Sequence, residues 1–101
     1  MFPMKFNDRP KHLLVIEDQD SLRANLSLLL ELEGFRVTTA PDGIRGLELA
    51  RSERPDLVLC DLMMPGLDGL GVLRELRADP TFDGTPFLFL TARGEQSDRE
   101  S

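Results

Sequence analysis

Apolar and polar positions along the chain follow two alternating rhythms. Leu13-Leu14-Val15-Ile16 is a short continuous apolar run, as expected of a strand buried on both faces. Asp20 is then placed to cap a helix whose apolar face carries Leu22, Leu26, Leu29 and Leu30, with Gly34 as its stop. Phe35, Val37 and Thr39 alternate with Arg36 and Thr38, which predicts a strand less completely buried than the first. A second helix is predicted from about Asp42 to Glu53, with Ile44, Leu47 and Ala50 inward and Pro55 ending it. Leu57-Val58-Leu59-Cys60 repeats the fully apolar strand, and a loop from Asp61 to Asp68 leads into a third helix with Leu70, Leu73 and Leu76 on one side. Asp79-Pro80 and Asp83-Gly84 mark a turn region. Phe87-Leu88-Phe89-Leu90 follows as a fourth strand, and Glu95 to Ser101 reads as the start of a fourth helix. Residues 1–11, with Pro3 and Pro10 and no period, read as a leader.

Strands alternating with helices predict an α/β fold, a parallel sheet with helices on both faces. Right-handed crossovers reduce the topology to a few doubly wound arrangements. With 101 residues, 41% hydrophobic and 30% charged, the chain is one ordinary globular domain at most. A net charge of -6 argues against a nucleic-acid surface, which needs clustered Lys and Arg. Cys60 has no partner for an intramolecular disulfide, and no apolar run approaches the roughly 20 residues of a membrane span. The N-terminus carries no stretch of signal-peptide character, so the expected location is cytoplasmic, with no membrane contact.

The carboxylates carry the chemistry. Glu17 and Asp18 directly follow the first strand, Asp61 ends the third, and Thr91 stands at the same end of the fourth. In an open parallel sheet, ligands bind outside the carboxyl ends of the strands. If the first and third strands are neighbours, the three acids meet there. They repel by about 4 kcal/mol per pair at about 4 Å and an effective dielectric near 20, unless a cation relieves them. Oxygen ligands without His or Cys suit Mg²⁺. One carboxylate is then left as a nucleophile, and acyl phosphate formation on Asp is a known form of covalent catalysis.

Ile16-Glu17-Asp18, Asp61-Leu62-Met63-Met64-Pro65-Gly66-Leu67-Asp68-Gly69 and Leu90-Thr91-Ala92 together resemble the three signature segments of response regulator receiver domains. The resemblance spans Lys11 to Ser101. It implies a flavodoxin-like sheet in order 2-1-3-4-5 with five helices, in a two-component signalling module and not a turnover enzyme. Asp61 would accept a phosphoryl group from a sensor histidine kinase or phosphotransfer protein. Asp18, Asp61 and the backbone carbonyl of Met63 would ligate Mg²⁺, with Glu17 acting mostly through a metal-bound water. Thr91 would hydrogen-bond a phosphoryl oxygen and draw the following loop inward. Pro65 and Gly69 would shape the adjacent loop.

The family pattern also has a Lys-Pro pair at the end of a fifth strand and an aromatic switch residue in that strand. Neither is found before Ser101. The expectation is therefore a receiver domain over residues 12–101 lacking its fifth strand and fifth helix. The apolar fourth strand would then lie at an edge, where charge or Pro is usual, and would favour a homodimer or swapped assembly.

Plainer readings stand beside these. Glu17 could be a solvated neighbour and Thr91 a loop cap. Cys60 reads as packing, His12 as a surface residue, and Asp42-Gly43 and Asp68-Gly69 as helix starts. Met63 and Met64 supply loop backbone and packing, and Arg93 to Glu100 a solvated helix entry. A degenerate receiver acting as an unphosphorylated binding module is the competing function. A haloacid-dehalogenase-type hydrolase would need a second Asp where Met63 stands. Gly69-Leu70-Gly71-Val72-Leu73-Arg74 lacks the last glycine of a dinucleotide fingerprint.

Overall fold

The most completely buried strand has hydrogen-bonded neighbours on both sides. In the computed structural model, which describes residues 9–90, β1 (His12–Ile16) lies between β2 (Arg36–Ala40) and β3 (Leu57–Asp61). β4 (Phe87–Leu90) pairs with β3 at the edge, so the parallel sheet runs β2-β1-β3-β4. Every β1 residue is buried, whereas in β2 only Ala40 is fully buried. This matches the two hydropathy patterns.

Helices α1 (Asp20–Leu32), α2 (Gly43–Glu53) and α3 (Gly69–Arg77) make the connections, with a 3₁₀ turn at Pro80–Phe82 before β4. Side chains alternate across a strand. Leu14 and Ile16 of β1, with Val58 and Cys60 of β3, therefore face one layer, where they meet Leu47 and Ala50 of α2, Val72 and Leu76 of α3, and Phe82. Leu13 and Val15 point to the opposite face, and α1 packs there over β1 and β2. Each fully buried aliphatic side chain contributes about 1.5–3 kcal/mol, so this two-helix layer holds the larger share of the core.

Helix ends follow the expected capping chemistry at most positions. Asp42 and Asp68 accept hydrogen bonds from the backbone N–H groups of Arg45 (2.8 Å) and Gly71 (2.9 Å). Gly34 takes φ 100° just past α1, a conformation that favours glycine, and Pro55 follows the left-handed Arg54 that closes α2. Asp20 differs from expectation. Gln19 is the cap residue and makes no side-chain cap bond, while Asp20 is the first residue of α1 and pairs with Arg23 at 2.8 Å.

Four other expectations are corrected. Ile44 is 58% exposed and Leu70 44%; the inward stripes are instead Gly43, Gly46, Leu47 and Ala50 in α2, and Gly69, Val72 and Leu76 in α3. Each helix turns a glycine to the core, displacing the apparent apolar face by one position, about 100°. Leu29 is 59% exposed, because α1 packs on β1 and β2 and its leucines cover a wider arc than those strands offer. His12 is buried; its Nε2 lies 2.8 Å from Thr38 Oγ1 and 3.4 Å from Glu53 Oε1, which makes burial tolerable. The leader's residues 1–8 and the predicted start of a fourth helix lie outside the described residues.

Candidate functional site

Two residues leave the carboxyl end of β1, Glu17 and Asp18, and Asp61 ends β3 beside them. The register pairs Ile16 with Cys60, so one step further along both strands sets Glu17 against Asp61. One carboxylate oxygen from each of Glu17, Asp18 and Asp61 lies within 4.8 Å of the others. Glu17 and Asp61 are buried, 1% and 2% exposed, and Asp18 is half-buried.

Backbone contacts fix these side chains before any ligand arrives. The Glu17 N–H donates to Ala40 O of β2 (3.1 Å), and Glu17 Oε2 accepts from the Gln19 N–H (2.9 Å). Arg23 on α1 donates to the Glu17 carbonyl (2.9 Å) and to Asp20 (2.8 Å). Asp61 Oδ1 accepts from the Met63 N–H at 3.1 Å, which turns the loop back over the strand end. With their oxygens within 4.8 Å of one another, each carboxylate pair repels by about 3.5 kcal/mol at an effective dielectric near 20. A compact all-oxygen donor set under this repulsion fits a hard divalent cation such as Mg²⁺.

Cys60 registers the same field. Burial pushes its thiol up to about 12, and the carboxylates of Asp61, Glu17 and Asp68 add in the same direction. It is a packing residue, wholly buried, with its thiol donating to the Asp61 carbonyl at 3.4 Å.

Above the acids is a cleft of about 340 Å³ lined by Asp18, Met63, Met64, Pro65 and Asp68. Next to Asp68, the Gly69 N–H donates to Leu62 O at 3.1 Å. A Cβ there would stand 2.6 Å from Asp61 O and 2.8 Å from Leu62 Cα, so α3 begins this close to Asp61 only because the residue is glycine.

Glu17, Asp18 and Asp61 are thus brought together, and Met63 is tied to Asp61 through its N–H. Thr91 lies outside the described residues; Leu90, which precedes it, is the register partner of Asp61. Two residues at this site were not among the expected site residues. Asp68 lines the cleft as well as capping α3, and its signal was its place at the far end of the Asp61 loop. Arg23 braces the Glu17 backbone, and its only signal was a cation in the first turn of α1.

A family model described as the response regulator receiver domain matches residues 13–101. The transcriptional regulatory protein CseB of Streptomyces coelicolor is 45% identical over 87 residues, which is 86% of this chain and 36% of CseB. The chain therefore spans little more than a third of that relative. Among solved structures, the receiver domain of sensor histidine kinase PA1611 from Pseudomonas aeruginosa PAO1, with a magnesium ion coordinated in its active-site cleft, is 35% identical. It superposes with a TM-score of 0.79 over 91% of this chain and 75% of that one. The N-terminal domain of a response regulator receiver protein from Methanoculleus marisnigri JR1 is 36% identical, with a TM-score of 0.78 over 81% of this chain and 67% of that one.

Proposed function

Because this chain belongs to the response regulator receiver domain family, we propose that it is a phosphorylation-driven switch that receives a phosphoryl group on Asp61. The observation that carries this reading is the meeting of Glu17, Asp18 and Asp61 oxygens within 4.8 Å at the carboxyl edge of the sheet. Asp18, Asp61 and the Met63 carbonyl are the residues to hold Mg²⁺, with Glu17 acting through a metal-bound water. The ion, when bound, supplies positive charge against the carboxylates and the incoming phosphoryl oxygens.

An Asp61 carboxylate oxygen attacks phosphorus as the nitrogen–phosphorus bond of a donor phosphohistidine breaks. The electron pair leaves with the imidazole, which takes up a proton, and Asp61 becomes an acyl phosphate. The bond from the Met63 N–H to Asp61 Oδ1 orients the carboxylate, so that little rotational freedom is lost on reaction. Thr91 follows the residue paired with Asp61 and serves as the hydroxyl that senses the phosphoryl group. The donor is a sensor histidine kinase or phosphotransfer protein, and the chain is a cytoplasmic signalling module without turnover chemistry of its own. The transcriptional role in the name of the CseB relative suggests an output through a further segment that contacts DNA.

Mg²⁺-dependent labelling with acetyl phosphate, read by intact mass, tests this reading. One added phosphoryl group that is lost in Asp61→Asn supports it, and labelling that persists in the variant refutes it.

A further inference from the structure

The pole of the sheet opposite the acids carries a second cleft, of about 440 Å³, where the amino ends of β1 and β2 meet the end of α2. Arg9, Lys11 and Arg36 contribute its cations, and Glu53 and Asp56 its acids. The chain is acidic overall, with 12 Lys and Arg against 18 Asp and Glu, so a cation would be expected to find a carboxylate. Arg23, Arg45 and Arg51 each do. Arg9, Lys11 and Arg36 form no ion pair among the described residues.

The local acids are held by the strand ends instead. Asp56 Oδ2 accepts the His12 backbone N–H at 2.7 Å. Glu53 Oε1 accepts the Thr38 hydroxyl at 2.8 Å. That proton being committed, Thr38 Oγ1 must accept from His12 Nε2–H across their 2.8 Å contact, which continues the chain from His12 through Thr38 to Glu53. Arg54 also borders the cleft, but its guanidinium donates to Thr81 at 2.8 Å and lies 4.3 Å over the Phe82 ring. Among the described residues, three cations of the cleft thus form no ion pair with the acids that line it.

We propose that this cleft binds a small polyanion carrying adjacent phosphoryl groups, held by Arg9, Lys11 and Arg36. Its volume falls within the range of small-molecule sites, roughly 300–1,000 Å³. No Phe lines it and the lining is almost entirely charged, so the ligand is recognised through its charge and not through a stacked base or an apolar body. Two guanidinium forks match phosphoryl oxygens in a bidentate manner, and Lys11 adds a point charge. The site is independent of the Asp61 chemistry, and failure of one leaves the other standing.

Pyrophosphate titrated into the 101-residue chain in metal-free buffer at about 150 mM salt, followed by amide chemical shifts, tests the proposal. Expected are saturable shifts at Lys11, His12, Arg36 and residues 53–56, with Glu17, Asp18 and Asp61 unmoved. Lys11→Gln with Arg36→Gln should weaken binding at least tenfold. Both residues are exposed, so the thermal midpoint of the double variant should match the parent. Citrate provides the comparison arm and should bind at least tenfold more weakly. Equal affinity for citrate would overturn the phosphoryl assignment. Shifts that never saturate, shifts centred on the acidic pole, or unchanged affinity in the double variant would overturn the site itself.

Discussion

Removing one charge from the acid cluster should stabilise the metal-free protein, although it removes the proposed phosphoacceptor. In Asp61→Asn, the side-chain oxygen can still accept from the Met63 N–H, a 3.1 Å bond in the parent, so the loop keeps its anchor. The substitution deletes two of the three repulsive pairs. With oxygens within 4.8 Å of one another, each pair is worth about 3.5 kcal/mol at an effective dielectric near 20, about 7 kcal/mol for the two before screening. Asp18 is half-buried, so solvent and salt screen its share, and the net gain expected is on the order of 2 kcal/mol. For a domain of this size that raises the thermal midpoint by roughly 10 °C. Mg²⁺ should then reduce the difference, because at ten times its dissociation constant it stabilises the parent by about 1.4 kcal/mol and the variant by less. Thermal melts with EDTA and with Mg²⁺ provide the assay. Glu33→Gln, an exposed acid at the end of α1, controls for general relief of the net charge of -6. An Asp61→Asn protein that melts with or below the parent in EDTA, or no further than the control, would refute mutual repulsion among the acids.

Two other outcomes follow from the same region. Gly69→Ala places a methyl group 2.6 Å from Asp61 O; against backbone this should cost roughly 1–3 kcal/mol and slow Asp61 labelling, which urea denaturation and acetyl phosphate labelling would report together. Cys60 has its thiol pushed from 9.0 up to about 12 in the fold. Its contribution is intact below pH 9 and declines as the unfolded thiol ionises while the folded one stays protonated. Metal-free parent should therefore lose about 1 kcal/mol more between pH 8 and 10 than Cys60→Ala. Equal pH slopes in urea melts would show that the thiol does not ionise differently in the two states.

The meeting of the acids was legible because the continuous apolar runs of β1 and β3 mark strands of a parallel sheet, and adjacent parallel strands deliver the residues after them to one edge. Glu17 and Asp61 therefore meet by register. The strand order itself came with the resemblance to receiver domains. Asp42, Asp68, Gly34 and Pro55 could be read because capping and chain reversal are local chemistry. His12 was misread because its burial depends on Thr38 and Glu53, which are remote in sequence.

The helix faces misled for a reason that bears on the site. Hydropathy assigns the inward face to large apolar residues, yet α2 and α3 approach the sheet through Gly43, Gly46 and Gly69. A Cβ at Gly46 would stand 2.5 Å from Ile16 Cδ1, and one at Gly43 would stand 2.5 Å from Leu67 O in the loop after Asp61. Side chains that would signal an inward face are the ones such an approach excludes. Ile44 was consequently assigned inward, and Leu70 grouped on one side with Leu73 and Leu76, although each lies one position off the buried stripe. The same close approach sets the loop from Asp61 to Asp68 between β3 and both helices, and Gly69 holds α3 against the Asp61 carbonyl. Enlarging any of these glycines should disturb packing and the acid cleft together, whereas trimming exposed Ile44 or Leu70 should leave both nearly unchanged.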